Sequence, residues 1–322
     1  YVVEAGDVVG PTYADFLPQL PDDVVVRVVC PRMSAFEDFQ RRVGHIDCRL
    51  EPVVVGHEMT TWSRDRWLAL QSEDGRAVRL VCPRSEKGHD AWPARRGDAQ
   101  IAADLARTLG PHVTEYHSRL YFDGGDFVAD EDTVFVTPEV LRRNLQQTVV
   151  DRRELIERLE TLVNRRVVLL DVAPPHHAGM FMMAVGHRTL LVGDPLAAQK
   201  ILRQSPVGDA STSLDADFSS DTVAKFQAVA DQCRRAGYRV VRIPVVPGRD
   251  GRTYLTYVNV VIDQRGEART VYMPVFDGVT RLNEAAAEVW RQLGYQVKPV
   301  DCTRCSRHFG SLRCLVNVTR RG

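Results

Sequence analysis

Apolar residues recur along this chain at two alternating spacings. Some segments carry consecutive apolar residues over the length of a strand, and others carry them every three to four residues, as an amphipathic helix does. Residues 152–163 show the helical spacing, with Leu155, Ile156, Leu159 and Leu162 on one face. Together the segments predict the order strand, strand, helix, strand, repeated along the chain.

The predicted strands are at residues 24–29, 77–81, 112–116, 120–127, 133–137, 166–170, 180–185, 188–192, 239–243, 254–262, 270–274 and 296–300. The predicted helices are at 99–109, 152–163, 222–237 and 285–293. The first group lacks a strand, which the last apolar stretch, 314–318, is predicted to supply. Five such groups favour an α/β fold closed into a pseudo-symmetric ring in which the two chain ends meet. The polar segment 205–221 is predicted to be a surface loop, and no linker divides the chain.

Composition narrows the functional classes. The 322 residues include 42 Lys plus Arg and 42 Asp plus Glu, so the basic footprint of a nucleic-acid-binding protein is absent. No run of about 18 apolar residues occurs, so we expect no membrane partner. The arginine pairs Arg41-Arg42, Arg142-Arg143 and Arg165-Arg166 are scattered, and we interpret them as solvated surface.

The seven cysteines are odd in number and widely spaced, which is typical of a protein in a reducing compartment. We therefore predict a cytoplasmic location. Cys302 and Cys305 have the spacing of a metal or redox pair, but no second pair or nearby histidines complete a zinc site. We expect neither a metal nor a cofactor.

Unusual polar residues stand where the first strand of each successive group begins. They are Arg64-Asp65, Asp123-Gly124-Gly125-Asp126, His176-His177, Asn259 and Cys314. In a closed ring these points converge on the central axis. Taken singly, each has an ordinary interpretation: a surface salt bridge, a tight turn, a structural histidine or a small buried cysteine.

Taken together and in this order, these motifs resemble those of the guanidine-modifying enzymes. That superfamily includes arginine and agmatine deiminases, peptidylarginine deiminases, dimethylarginine dimethylaminohydrolases and amidinotransferases. The resemblance extends from Trp62 to Asn317, which is most of the chain. It implies a five-bladed pseudo-symmetric α/β propeller of ββαβ units, with residues 1–322 forming a single catalytic domain.

The resemblance also implies a role for each motif. Cys314 is the nucleophile, His177 the general acid and base, and Asp123 the third catalytic residue, at a position where most relatives have Glu. Asp65 pairs with the guanidinium nitrogens of the substrate. Arg64, Asp126 and Asn259, which stand at the same strand starts, complete the substrate-binding set that we predict. The chemistry agrees, because a planar guanidinium needs carboxylates with matching geometry and the attacking sulfur must be a thiolate.

One position departs from the usual pattern. Deiminases and amidinotransferases carry Asp two residues after the histidine, and this chain has Gly179. Dimethylarginine hydrolases also lack that Asp, so activity is compatible with Gly179. The glycine could widen the pocket for an N-substituted guanidine, or Asp126 could supply the missing charge.

The leading hypothesis is hydrolysis of a small guanidino substrate to a ureido product, with release of ammonia or an alkylamine. The alternatives are amidino transfer to an amine, and a catalytically silent protein that binds guanidines, for which Gly179 is the motive. The sequence does not specify which guanidino compound is used, and it leaves a homo-oligomer open.

Overall fold

The fold is built from short strands and helices that alternate along the chain. The computed structural model describes residues 1–2, 8–86, 92–204 and 215–319. The strands are β1 (Val25–Cys30), β2 (Arg49–Val54), β3 (Leu68–Gln71), β4 (Val78–Cys82), β5 (Val113–His117), β6 (Phe127–Ala129), β7 (Thr133–Val136), β8 (Arg166–Leu169), β9 (Met182–Ala184), β10 (Thr189–Asp194), β11 (Arg239–Pro247), β12 (Tyr254–Thr256), β13 (Val261–Arg265), β14 (Ala268–Val275) and β15 (Gln296–Asp301).

The helices are mostly two to four turns long and lie between these strands. They are α1 (Gly10–Phe16), α2 (Met33–Val43), α3 (Pro93–Asp98), α4 (Ile101–Leu109), α5 (Pro138–Asn144), α6 (Arg152–Val163), α7 (Pro195–Gln204), α8 (Ser220–Arg235), α9 (Thr280–Gln292), α10 (Thr303–Ser306) and α11 (Leu312–Leu315). Short 3-10 turns occur at Leu17–Gln19, Gly124–Asp126 and Ala178–Met180.

The described strands form five sheets, and four of these sheets repeat one pattern. In β3-β4-β5, β6-β7-β8 and β13-β14-β15, an antiparallel pair is followed by one or two helices and a third, parallel strand. A parallel pair requires such a crossover connection. The fourth sheet repeats the pattern in β9, β10 and β11 and adds β12 at its edge. The predicted order of elements is therefore confirmed in these sheets, and the fold is of the mixed α/β class.

The first sheet contains β1 and β2, a parallel pair joined by α2. The predicted strand at 314–318 is wrong, because Leu312–Leu315 form a short helix and residues 316–319 are irregular. The carbonyl of Leu315 accepts a hydrogen bond from the Tyr13 hydroxyl at 2.9 Å, so a side chain takes the acceptor that a neighbouring strand would use. Cys314 consequently lies on a helical turn.

The predicted strand at 120–127 is wrong over most of its length. A strand begins only at Phe127, after the 3-10 turn Gly124–Asp126. The backbone N–H of Tyr121 donates to Asn144 Oδ1 at 2.9 Å, and its carbonyl accepts from Asn144 Nδ2 at 2.6 Å. One asparagine side chain thus occupies both backbone groups that a strand partner would otherwise bind.

The predicted strand at 254–262 is two strands that belong to different sheets. β12 pairs with the end of β11, whereas β13 pairs with β14. Asn259 lies in the irregular stretch between them, where its side chain bonds to backbone groups of other segments. The predicted helix at 99–109 begins at Ile101 and is preceded by α3, and the strand predicted at 180–185 is limited to Met182–Ala184.

The chain divides into two compact units. Unit 1 comprises Tyr1–Gly124, Arg142–Arg158 and Cys314–Gly322, and unit 2 comprises Gly125–Leu141 and Leu159–Arg313. The single domain predicted for residues 1–322 stays a prediction. The part of the predicted loop 205–221 that spans 205–214 lies outside the described residues.

Each unit has its own apolar core. In unit 1, Trp67 and Leu80 pack with Ile101 and Leu105 from α4, and all four are nearly inaccessible to solvent. In unit 2, the rings of Phe181 and Phe226 meet edge to face at 6.4 Å, and Trp290 of α9 meets the ring of Tyr295 in the same way at 5.1 Å. Among the described residues, none of the helices has the length and apolar character needed to cross a membrane.

Candidate active site

The predicted site residues are divided between the two units. Unit 1 contains Arg64, Asp65, Asp123 and Cys314, and unit 2 contains Asp126, His177, Gly179 and Asn259. Each set is held by contacts inside its own unit.

The backbone of Asp65 is fixed between its own loop and the Asp-Gly-Gly-Asp segment. Its N–H donates to the carbonyl of Trp62 at 3.3 Å, and its carbonyl accepts from the N–H of Gly124 at 2.9 Å. A side chain at position 124 would overlap the carbonyl of Arg64, so the approach requires glycine. The first glycine of the motif therefore brings the loop of Asp65 against the segment that carries Asp123.

The carboxylate of Asp65 binds a guanidinium that belongs to the chain itself. Nη1 of Arg95, on α3, donates to Oδ2 of Asp65 at 2.8 Å and to Oδ2 of Asp98 at 3.4 Å. Asp98 is anchored in turn by Thr60, whose N–H and hydroxyl donate to its two oxygens at 2.7 and 2.6 Å. The side chains of Asp65 and Asp98 are 8% and 0% exposed, so this ionic cluster is shielded from solvent.

The charges in this cluster shift two pKa values. Burial alone would lower the pKa of Arg95, but the negative charges of Asp65, Asp98 and Asp123 outweigh burial and raise it. Burial raises the pKa of Asp98 to about 6, although the bonds from Thr60 and the charge of Arg95 act in the opposite direction. Asp65 and Asp123, both predicted to face a guanidinium, therefore act on the same guanidinium within unit 1.

Asp123 binds a second arginine of the chain. Nη1 of Arg143, on α5, donates to Oδ2 of Asp123 at 2.9 Å, while its Nε donates to Oε1 of Glu86 at 2.9 Å. The side chains of Arg143 and Asp123 are each 14% exposed. The contact shows that the Asp123 carboxylate is accessible to a guanidinium donor.

Arg64 faces the C-terminal segment that follows Cys314. Its Nη1 donates to Oδ1 of Asn317 at 3.4 Å, and Nδ2 of Asn317 donates to the carbonyls of Ser63 and Trp67 at 3.5 and 3.4 Å. These bonds hold the two segments together. The predicted contact of Arg64 with substrate stays a prediction.

Cys314 lies in the third residue of α11 and is 5% exposed. The residues around it are buried, since Leu312 and Leu315 are 0% and 1% exposed. A short helical turn thus places the thiol in a nearly closed environment, anchored by the bond from Tyr13 to the Leu315 carbonyl.

In unit 2, His177 precedes the 3-10 turn Ala178–Met180, and its carbonyl accepts from the N–H of Met180 at 2.9 Å. Its ring stacks on that of His176, with centroids 4.3 Å apart. A side chain at Gly125 would overlap the imidazole of His177. The second glycine of the Asp-Gly-Gly-Asp motif is therefore the space into which this imidazole fits.

His176 has a structural contact of its own. Its backbone adopts a positive φ of 74°, and its Nε2 lies 2.8 Å from the carbonyl of Phe309. The two adjacent histidines consequently differ in role: His176 shapes the loop, and His177 lies against Gly125.

The side chain of Asp126 is 2% exposed, and its Oδ1 accepts from the Thr137 hydroxyl at 2.9 Å. Its carbonyl also accepts from the N–H of Thr137, at 3.2 Å. These bonds tie the end of the 3-10 turn to the end of β7. The structure gives Asp126 an anchoring contact, and its predicted role with substrate stays a prediction.

Asn259 connects the histidine segment to the residue before Cys314. Its Nδ2 donates to the carbonyl of Gly179 at 2.9 Å, and its Oδ1 accepts from the N–H of Arg313 at 2.9 Å. A Cβ at position 179 would lie 3.4 Å from Nδ2 of Asn259, an ordinary contact distance. A side chain at position 179, where the resemblance leads us to expect Asp, would therefore point toward Asn259.

Sequence reasoning missed four charged residues of this region: Arg95, Asp98, Arg143 and Glu86. Arg143 belongs to a pair predicted to be solvated surface, and that prediction is wrong for this residue because it binds two carboxylates. Arg95 and Asp98 are three residues apart on one helix, a spacing that predicts contact between them. No sequence signal connects either residue to Asp65.

A pocket of about 260 Å³ lies in unit 1 at the carboxyl ends of β4 and β5. Its walls include two arginines, two serines and a histidine: Arg66, Arg84, Ser85, Ser118 and His117. Ligands of α/β proteins commonly bind at the carboxyl ends of parallel strands. Arg66 and Arg84 are the two cationic side chains of this lining, and a guanidinium supplies donors that match carboxylate geometry.

The fold resembles that of several solved deiminases. An agmatine deiminase from C. jejuni superposes with a TM-score of 0.68 at 15% identity, covering 97% of this chain and 86% of that one. A protein proposed to be the arginine deiminase of Porphyromonas gingivalis gives 0.70 at 20% identity, covering 98% and 89%. The agmatine deiminase of Enterococcus faecalis gives 0.64 at 14%, covering 90% and 81%. At these identities the likeness shows the fold alone.

The match of a family model, together with the fold, confirms the predicted resemblance to the guanidine-modifying enzymes. Residues 3–318 match the model of the Porphyromonas-type peptidyl-arginine deiminase family, so the chain belongs to that family. The family and its structural neighbours are hydrolases that act on guanidines. No curated protein sequence matches the chain.

Proposed function

We propose that this chain is a cysteine-dependent hydrolase that converts a guanidino compound into a ureido product and releases ammonia or an alkylamine. The observation that carries the proposal is that Asp65 and Asp123 each bind a guanidinium, that of Arg95 at 2.8 Å and that of Arg143 at 2.9 Å. Carboxylates placed to bind planar cations provide the environment that a substrate guanidinium needs. Membership of a deiminase family supports the same conclusion.

In the proposed reaction the Cys314 thiolate attacks the central carbon of the guanidinium and forms a tetrahedral adduct. His177 then protonates one nitrogen, the C–N bond breaks, and an amine leaves. The remaining S-alkylthiouronium is attacked by water, whose proton His177 accepts. The C–S bond breaks, the ureido product departs, and the thiolate is regenerated.

The other site residues bind and position the substrate in this scheme. Asp65 and Asp123 bind the guanidinium nitrogens and hold the carbon toward the sulfur, while Arg64, Asp126 and Asn259 shape the surrounding site. The absence of a side chain at Gly125 supports the role of His177, because it leaves room for the imidazole.

We extend the proposal to the whole chain. Five sheets, four of them with the ββαβ order, favour the five blades of one propeller, with residues 1–322 as one catalytic domain. All seven cysteines lie in the described part of the chain and none of them forms a disulfide there, which supports a reducing compartment such as the cytoplasm.

The pocket beside β4 and β5 suggests which chemical group the substrate carries in addition to its guanidinium. Arg66 and Arg84 line it, and Arg66 directly follows Asp65 in the chain. A guanidino compound with a carboxylate, such as arginine or a methylated arginine, would place its anionic end near these cations. Agmatine carries an amine instead and would gain nothing from them.

The test is incubation of the purified protein with arginine, agmatine, N-methylarginine and dimethylarginine, followed by assays for ureido product and released amine. The expected result is a ureido product with at least one compound, and none from Cys314→Ser. A product that forms only when an acceptor amine is added would favour amidino transfer. Binding without turnover of any compound would favour the silent guanidine-binding protein.

A further inference from the structure

We propose that Arg95 is a positioning residue of the guanidine site, which holds one carboxylate oxygen of Asp65 so that the other faces the substrate guanidinium. The inference rests on the proposed function. It assigns a role to a residue outside the motifs that carry the resemblance to the superfamily.

Arg95 is itself held in place by a hydrogen bond to Asp98. The Thr60 N–H and hydroxyl fix both oxygens of Asp98, and Oδ2 of Asp98 accepts from Nη1 of Arg95. The same Nη1 donates to Oδ2 of Asp65. The chain of bonds from Thr60 through Asp98 and Arg95 to Asp65 therefore starts at a backbone group and ends at the carboxylate predicted to bind substrate.

The other oxygen of Asp65 is left for a second donor. Among the described residues, the hydrogen bond to this carboxylate comes from Arg95 and reaches Oδ2. A carboxylate has about four lone-pair positions on its two oxygens, so it can accept from two guanidinium groups at once. With Oδ2 engaged, Oδ1 is the oxygen that a substrate guanidinium can take.

The negative charges around Arg95 give a second reason for a cation at this position. The negative groups that act on Arg95 are Asp65, Asp98 and Asp123, and the charge of Asp65 also raises the pKa of Asp98 and of the Tyr1 hydroxyl. Without Arg95 the carboxylates of Asp65 and Asp98 would repel each other with no cation between them. Asp65 would then turn away from Asp98 and lose its orientation.

The same contact has an opposite interpretation, in which Arg95 is a competitor that occupies the place of the substrate guanidinium. The two interpretations predict opposite signs. Removal of a positioning residue weakens substrate binding, and removal of a competitor strengthens it.

The experiment compares Arg95→Gln and Arg95→Lys with Arg96→Gln, a matched control on the exposed neighbouring residue of the same helix. Binding of arginine and agmatine is measured by calorimetry in Cys314→Ser protein, which cannot turn them over. We expect Arg95→Gln to weaken binding about tenfold. Arg95→Lys should recover part of this loss because its ammonium can still donate to Oδ2, and Arg96→Gln should change nothing. Unchanged or tighter binding in Arg95→Gln would overturn the proposal.

Crystal structures of the ligand-free variants provide a readout that requires neither turnover nor binding. The Asp65 carboxylate should adopt a different rotamer in Arg95→Gln and keep its position in Arg95→Lys and Arg96→Gln. An unmoved Asp65 in Arg95→Gln refutes the role even if no guanidino compound binds. If Arg95→Gln does not fold, Asp98→Asn interrupts the same chain of bonds and should displace Asp65 too. Failure of the proposed function has a different signature, the absence of ureido product from the unmodified protein.

Discussion

Oδ1 of Asn259 accepts a hydrogen bond from the N–H of Arg313 at 2.9 Å, one residue before the predicted nucleophile. The other end of the same amide donates to the carbonyl of Gly179, two residues after His177. A single buried side chain thus binds one backbone group in each of two motifs that are predicted to be catalytic.

We expect Asn259→Leu to destabilise unit 2, because it leaves the buried carbonyl of Gly179 without this partner, whereas the N–H of Arg313 keeps its bond to the backbone carbonyl of residue 259 at 3.2 Å. The loss should be about 1–3 kcal/mol, measured by urea unfolding. If Asn259 acts only as a substrate contact, the variant would instead raise KM at unchanged stability.

The second prediction concerns which cysteine reacts. Burial raises the pKa of Cys82 and Cys233 to about 12, and it also raises the pKa of Cys30, Cys48 and Cys302. Thiols with raised pKa values are poor nucleophiles at neutral pH. We expect 2-chloroacetamidine to add one label to the native protein and none to Cys314→Ser, as seen by intact mass spectrometry. A label on Cys302 or Cys305 would redirect the search for the nucleophile.

The third prediction separates the two histidines. His177→Asn should reduce kcat by a factor of about 100 or more, since it removes the group that is proposed to carry both proton transfers. His176→Asn is the matched control, because Asn tolerates the positive φ that this position requires. Its kcat should stay within a few-fold of the native value. Comparable losses in both variants would show that the register of the motif is wrong.

The fourth prediction concerns pH. The pKa of Asp98 is about 6 in the folded protein, above its ordinary value of 3.8. The folded state therefore holds this proton more tightly than the unfolded chain does, so its contribution to stability is full below pH 4 and is lost as the pH rises through 6.

Asp98→Asn should abolish this loss. The unfolding free energy of the native protein, relative to the variant, should fall by roughly 2–3 kcal/mol between pH 4 and pH 7. Asp22→Asn, at an exposed carboxylate, is the control and should parallel the native protein. Parallel curves for Asp98→Asn would show that Asp98 titrates normally.

The fifth prediction tests the pocket beside β4 and β5. Arg84→Ala should raise KM for arginine by about tenfold, the loss of one charge-assisted contact, and should leave KM for agmatine nearly unchanged. An equal effect on both substrates would place the carboxylate elsewhere.

Much of the fold could be predicted because most strands and helices have clear hydrophobic periods. The helix at 152–163 agrees with α6 because its apolar face is unbroken. The strands predicted at 120–127 and 314–318 failed for another reason: the side chains of Asn144 and Tyr13 take the backbone groups that a sheet would use. Bonds between residues far apart in sequence leave no periodic signal.

Prediction of the site residues from the sequence has the same limit. The motif residues could be found because they are adjacent in sequence, as in Asp123-Gly124-Gly125-Asp126. Arg95 could not be found, because its partner Asp65 is thirty residues away and the segment between them has no shared pattern.

The two adjacent glycines Gly124 and Gly125 are constrained by different neighbours. The first makes room for the carbonyl of Arg64, and the second makes room for the imidazole of His177. A larger residue at position 124 therefore displaces the loop that carries Asp65, whereas a larger residue at position 125 displaces the His177 ring. Single substitutions at these two neighbouring positions thus separate the carboxylate side of the proposed site from its histidine side.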